Sequence, residues 1–212
     1  MHILLTDVLS CPRCGPEHGL VLMADRVVDR RVRDGFLGCP NCRERYGVRG
    51  GVVDLRVPGQ AVLPGPESRA EPEARGEGVE AAVRLAALMG VGEGSGVALI
   101  VGRGVRHAAG VAGLVPELEV AVVGTGVEDW EEEVGVSRLL AGGGLPFRSG
   151  ALGAVALTGE SAVTLEAEGV RIVALGGRLV LEDAAEGAVE RLREAGLAVL
   201  VDESGVVVAE RA

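Results

Sequence analysis

The chain has four cysteines, and they come in two pairs of one form, Cys11-Pro-Arg-Cys14 and Cys39-Pro-Asn-Cys42. Two cysteines separated by two residues can aim both sulfurs at one ion from a single tight turn. Two such turns supply the tetrahedral thiolate set that Zn²⁺ favours. Pro12 and Pro40 stand at the same place in each pair and stiffen both turns alike, and Gly15 follows the first pair where φ > 0 is often needed. The spacing predicts one structural zinc held by Cys11, Cys14, Cys39 and Cys42. Disulfides, an iron site on the same four thiolates and a catalytic zinc compete with that reading. Disulfides suit an oxidising compartment, whereas the expected compartment here is the reducing cytoplasm. The aromatic shell usual around such iron sites is missing, and four thiolates leave no open position for a catalytic water. His2 and His18 lie nearby in sequence and are read as surface residues, not as further ligands.

The stretch between the pairs reads as strand, turn, strand: LVLMADRVVDR, then VRDGFLG, with Asp34-Gly35 as the turn signal. Residues 1–56 are therefore expected to form a small β zinc ribbon, with so little core of its own that it should largely unfold without metal.

Charge divides the chain unevenly. Residues 1–57 carry nine Arg against seven acids, whereas residues 58–212 carry twelve Arg against twenty-four. The acidic main body repels phosphate backbones, so nucleic-acid binding through it is not expected. The seven Arg between Arg26 and Arg49 are interleaved with Asp29, Asp34 and Glu44, which reads as a mixed, solvated face. Two Phe, one Tyr and one Trp offer little for base stacking. No run approaches the ~18 apolar residues of a membrane span, and the N-terminus lacks the basic start of a secretory signal, so a cytoplasmic protein is expected.

Residues 57–78, rich in Pro, Gly and Glu, read as a linker. A helix is predicted around 79–91. Strands then follow at 96–101, 118–124, weakly at 137–141, at 153–159 and at 177–183, with helical segments between them. An amphipathic helix precedes a closing hairpin around Glu203-Ser204-Gly205. This alternation predicts an α/β class for 79–212: a Rossmann-like, mostly parallel sheet covered on both faces, with a C-terminal antiparallel hairpin.

The order of five strand–helix units and a terminal hairpin resembles the class I methyltransferases that use S-adenosylmethionine. Gly102-Arg103-Gly104 stands where that family has its glycine loop, Leu145-Pro146-Phe147 matches its "LPF" segment, and Leu175 to Leu181 is similar to its "PGGRLVL" turn. The first 56 residues resemble the small zinc-binding activator subunit of tRNA and release-factor methyltransferases, both in LLTDVLSCPRC and in YGVRGGVVDL. The resemblance implies a cofactor loop at Gly102 and Gly104, and a ribbon that pairs with an enzyme by covering apolar surface. Val21, Leu22, Met23, Phe36, Val52 and Val53 are candidates for that surface or, equally, for the ribbon's own core.

The departures from the family pattern carry more weight. The acids expected before the loop, after the second strand, before "LPF" and at the fourth strand are replaced by Ile100, by Gly124-Thr125-Gly126, by Ala141 and by Gly153. Glu128 or Asp129 could restore one contact, not four. Loss of these carboxylates removes the charge-assisted hydrogen bonds that carry much of cofactor recognition. The reading from sequence is thus a non-catalytic scaffold or adaptor with a protein partner or self-association. The alternative is an active methyltransferase acting on RNA or protein. No catalytic residue is assigned: His107 reads as a helix-start histidine, and Ser161 and Ser204 have no recognisable helpers.

Overall fold

The computed structural model describes residues 1–65, 75–94 and 96–212. A short helix α1 (Leu5–Val8) leads into β1 (Ser10–Cys11) and β2 (Gly15–Gly19), which pair with each other. Four strands follow as an antiparallel meander: β3 (Val21–Val28), β4 (Arg31–Gly38), β5 (Arg45–Arg49) and β6 (Val52–Leu55). After α2 (Arg75–Met89) come β7 (Val97–Gly102), α3 (Ala108–Leu114), β8 (Glu119–Val123), β9 (Val136–Ala141) and β10 (Leu152–Thr158). The chain closes with α4 (Glu160–Thr164), α5 (Glu166–Ile172), β11 (Val173–Glu182), α6 (Ala188–Glu194), β12 (Leu197–Glu203) and β13 (Val206–Arg211).

Eleven of these strands form one sheet, in the order β12-β13-β11-β10-β7-β8-β9-β6-β5-β4-β3. The expected ribbon followed by a Rossmann-like, mostly parallel α/β sheet is overturned. Five of the ten pairings are parallel and five antiparallel, and among the described residues strand outweighs helix. Two crossovers carry no α-helix. Only a 3-10 turn (Val127–Asp129) stands between β8 and β9, where EDWEEEV suggested a helix, and β9 runs to β10 without one. Trp130 and Val134 stand at helical spacing, but Val134 is 93% exposed, so the acidic run buries no helical face. The meander extends the sheet because Val53 and Leu55 alternate onto its buried face while β6 hydrogen-bonds in parallel to β9.

The strands β7, β8 and β9 read as unbroken apolar runs because both of their faces are covered. Leu99, Val101, Ala121, Val123 and Leu139 point to one side, where they join Met1, Leu5 and Leu9 of the leader and Ile172 of α5. Ala98, Ile100, Val120, Val122 and Leu140 point to the other, against Leu85 and Met89 of α2 and Val111 of α3. Leu5 and Leu9 are wholly buried, each stabilising the fold by about 2 kcal/mol from area alone.

The turn signal at Asp34-Gly35 misleads. The β3–β4 turn is made by Asp29 and Arg30, both at positive φ, and Gly35 lies inside β4. Its φ of +148° sits at an irregularity opposite Ala24, where an added Cβ would lie 2.4 Å from the Met23 carbonyl oxygen. The residues 66–74 of the expected linker lie outside the described residues.

Candidate metal centre and the ends of the central strands

The knuckle Cys11–Gly15 joins β1 to β2, and the knuckle Cys39–Arg43 joins β4 to β5. Gly15 takes φ +99° and Arg43 takes φ +62°, so each pair turns sharply at the residue after its second cysteine. An Arg43 amide to Cys39 carbonyl bond of 2.9 Å and a Cys39 amide to Glu44 carbonyl bond of 2.9 Å close the second turn. The four sulfurs all lie within 4.8 Å of one another. Cys11 and Cys42 stand 3.7 Å apart, and Cys14 and Cys39 stand 3.8 Å apart. A regular tetrahedron with Zn–S bonds of about 2.3 Å has edges of about 3.8 Å, so the donor set fits a zinc ion. All four cysteines are free of disulfides, and Cys11 and Cys39 are buried while Cys14 and Cys42 are half-buried.

Two neighbours address the sulfurs. The Tyr46 hydroxyl lies 3.3 Å from Cys11 Sγ, and Asn41 Nδ2 donates to Cys14 Sγ at 3.3 Å. Burial pushes the Tyr46 phenol far above its ordinary value, with Cys11 adding to the effect, so it remains a donor. Such outer contacts orient thiolate ligands. His2 and His18 are half-buried, and neither belongs to the sulfur cluster. His2 Nδ1 instead accepts the Leu4 amide.

The residues predicted at the cofactor loop do sit together at the carboxyl end of β7, but the space above them is filled. A Cβ on Gly102 would lie 2.0 Å from the Thr158 carbonyl oxygen. The Gly104 amide donates to Thr158 Oγ1 at 2.7 Å, and that hydroxyl donates to the Val101 carbonyl. Ser161 is 6% exposed, and its Oγ bonds the Thr158 amide and the Val101 and Thr158 carbonyls, which makes it a brace for the loop. Asp183 is a carboxylate beside this loop, and Arg103 engages it as an ion pair. His107 stands at the start of α3 with Arg106 as its neighbour, Arg106 Nε donating to its Nε2 at 3.3 Å.

At the ends of β8 and β9 the backbone of residues 61–65 lies as a strap. The Leu63 amide donates to the Ala141 carbonyl, Thr125 donates to the Leu63 carbonyl, and Gly143 donates to the Ala61 carbonyl. Gly65 N–H reaches Thr125 Oγ1 at 2.9 Å, and Val62 bridges Gly142. Gly124 lies against Pro64 and Gly65 so closely that a Cβ would approach both to 2.7 Å. Thus Gly124, Thr125 and Ala141, where the family pattern calls for acids, face a protein segment. Glu128 lines a groove on the sheet face.

That groove is the feature sequence reasoning missed. It has a volume of about 790 Å³ and lies over β5, β6 and β9, with Val52 and Leu140 as apolar floor and Arg45, Arg49 and Arg56 around it. No α-helix bridges β8 to β9, so among the described residues no helix covers this end of the sheet face. The spacing Arg45-x-Gly47-x-Arg49 on one strand was the available signal, since alternate residues share a face.

Of the apolar candidates for docking, Val21 and Met23 are each 54% exposed on the edge strand β3, whereas Val53 is buried in β6. Leu22, Phe36 and Val52 are half-buried. Among the described residues no helix is long and apolar enough to cross a membrane. No known family model matches this chain, and no curated protein matches it.

Proposed function

We propose that this chain is a zinc-stabilised scaffold or adaptor whose methyltransferase-like portion has lost S-adenosylmethionine binding. The observation that carries the reading is the strap at 61–65. In open α/β sheets a ligand binds beyond the carboxyl ends of the parallel strands, and the parallel strands of this mixed sheet have the same ends to offer. Here the polar backbone groups at the ends of β8 and β9 are spent on Leu63, Ala61 and Gly65. The four missing carboxylates and the filled Gly102–Gly104 loop point the same way. Zinc on Cys11, Cys14, Cys39 and Cys42 has a structural role in this reading, because four sulfurs complete the tetrahedron and leave no site for a substrate.

The scaffold's contact surface is assigned to the free edge β3, with Val21, Met23, Val27 and Val28 exposed along it. Exposed edges of this kind pair with a strand of a partner or of a second copy. Calorimetric titration of S-adenosylmethionine into zinc-loaded protein tests the first half: no heat is expected. Micromolar binding, about −8 kcal/mol, would instead establish the active methyltransferase reading and displace this one. Sedimentation of the purified chain tests the second half, with concentration-dependent association expected and its loss in Met23→Arg. A strict monomer that also recovers no stoichiometric partner sinks the adaptor reading.

A further inference from the structure

We infer that the groove over β5, β6 and β9 binds a phosphorylated organic anion of nucleotide size. Its volume of about 790 Å³ falls within the ~300–1,000 Å³ of small-molecule sites. Arg45 and Arg49 project from the same face of β5, and between them Gly47 leaves open space, since a Cβ there would meet nothing within 4 Å. A ligand can therefore descend between two guanidinium groups to the strand itself.

The pairing of the arginines shows which positive charge is available. Arg56 is held by Asp54 through two hydrogen bonds of 2.8 and 2.6 Å, and Arg13 is paired with Glu44 at 3.0 Å. Arg45 stacks on the Phe36 ring at 4.7 Å, an arrangement that leaves its edge donors pointing outward. Arg49 forms no ion pair among the described residues and acts on Asp54 only through its field. Two guanidinium groups that no carboxylate among the described residues pairs with flank Gly47 on one strand, and a phosphate monoester offers several oxygens to either fork.

The remaining walls define the rest of the ligand. Val52 and Leu140 offer an apolar floor, and Asp54 and Glu128 offer acceptors for hydroxyl or amino groups. These carboxylates repel an evenly acidic peptide, so the ligand carries its negative charge at one end. A phosphate, an apolar body and hydrogen-bond donors together describe a nucleoside or sugar phosphate. The inference does not rest on the adaptor reading, and the groove lies apart from the strap.

Titration calorimetry on the full zinc-loaded chain tests it, with adenosine 5′-monophosphate and glucose 6-phosphate as probes and adenosine and inorganic phosphate as controls. At least one probe is expected to bind below millimolar Kd, and roughly tenfold or more tighter than its unphosphorylated part or inorganic phosphate alone. Arg45→Ala/Arg49→Ala should weaken that binding at least about tenfold while leaving the urea unfolding midpoint unchanged, since neither side chain is buried. Absence of binding by both probes overturns the inference. So does binding that survives the double substitution, or inorganic phosphate binding as tightly as the probes.

Discussion

At the scale of single residues, the two knuckles show what conformation costs when contacts are equal. Gly15 and Arg43 occupy the same place after their cysteine pairs, and both take positive φ, but only the first is glycine. A Cβ on Gly15 would touch nothing, so the penalty for adding one is purely backbone strain. Gly15→Ala should lower the unfolding free energy by about 1–2 kcal/mol, while Gly19→Ala, equally uncrowded and without positive φ, should change it by less than about 0.5 kcal/mol. Urea denaturation of the zinc-loaded variants measures both. The cysteine spacing made the metal site legible, because two short turns can be read without knowing anything of tertiary structure. Glu168 was not legible, because the Leu145 amide that binds it comes from another part of the chain. Burial alone would raise its carboxyl, but Arg171, at 2.8 Å, and the Leu145 amide, at 3.0 Å, override this and hold it below its ordinary value. A folded pKa below the unfolded 4.5 means stability that is present above about pH 4.5 and lost as pH falls through the folded value. Glu168→Gln should therefore destabilise the protein at neutral pH and converge with the wild type in acid, as followed by urea midpoints across that range.

At the scale of elements, what the sequence left hidden was pairing. The strands at 97–102, 119–123, 152–158 and the closing hairpin could be read from apolar runs and turn residues. The strand weakly predicted at 137–141 spans Val136–Ala141 and is fully buried, because its neighbour β6 is supplied from a distant part of the chain. A period-2 pattern says which face of β6 is apolar; it does not say that Asp54 will stand beside Leu140. The strap was equally hidden, since AVLPG has the composition of a loop and its work is done by backbone groups. Gly124 marks where it rests. Gly124→Ala puts a methyl group within 2.7 Å of Pro64 O and must lift the strap or the strand end. Hydrogen exchange at the Leu63 and Thr125 amides should accelerate at least roughly tenfold in this variant, with the β7 amides unchanged. Unaltered exchange would show that the strap is not held by these contacts.

At the scale of the whole molecule, the amino-terminal strands and the rest of the sheet hold each other at several points. Leu9 bridges Phe147, Ser10 donates to the Pro146 carbonyl at 2.9 Å, and β6 lies along β9. Arg31 of β4 meets Glu119 of β8 at 2.8 Å, with side-chain exposures of 11% and 4%. Glu119→Gln leaves that guanidinium buried without its counter-charge, and should cost about 3 kcal/mol or more in a chemical denaturation series. Metal removal should also be felt beyond the knuckles. With a chelator in excess, thermal unfolding should shift downward as one transition, followed by far-ultraviolet circular dichroism, with no separate late transition at the metal-loaded temperature. Two transitions, the later one unmoved, would show that the sheet does not depend on its zinc-bearing end.

The bridge between Leu9 and Phe147 also sets an order in time. A ribosome emits residues 1–56 long before residues 136–148, so the leader and β6 wait, with Leu5, Leu9, Val53 and Leu55 uncovered, until their partners emerge. Pairings this distant along the chain make for slow folding and a long interval of exposed apolar surface. The two knuckles close over a far shorter loop and can load metal during that wait, giving the nascent end a local fold while the remainder of the chain is still being made.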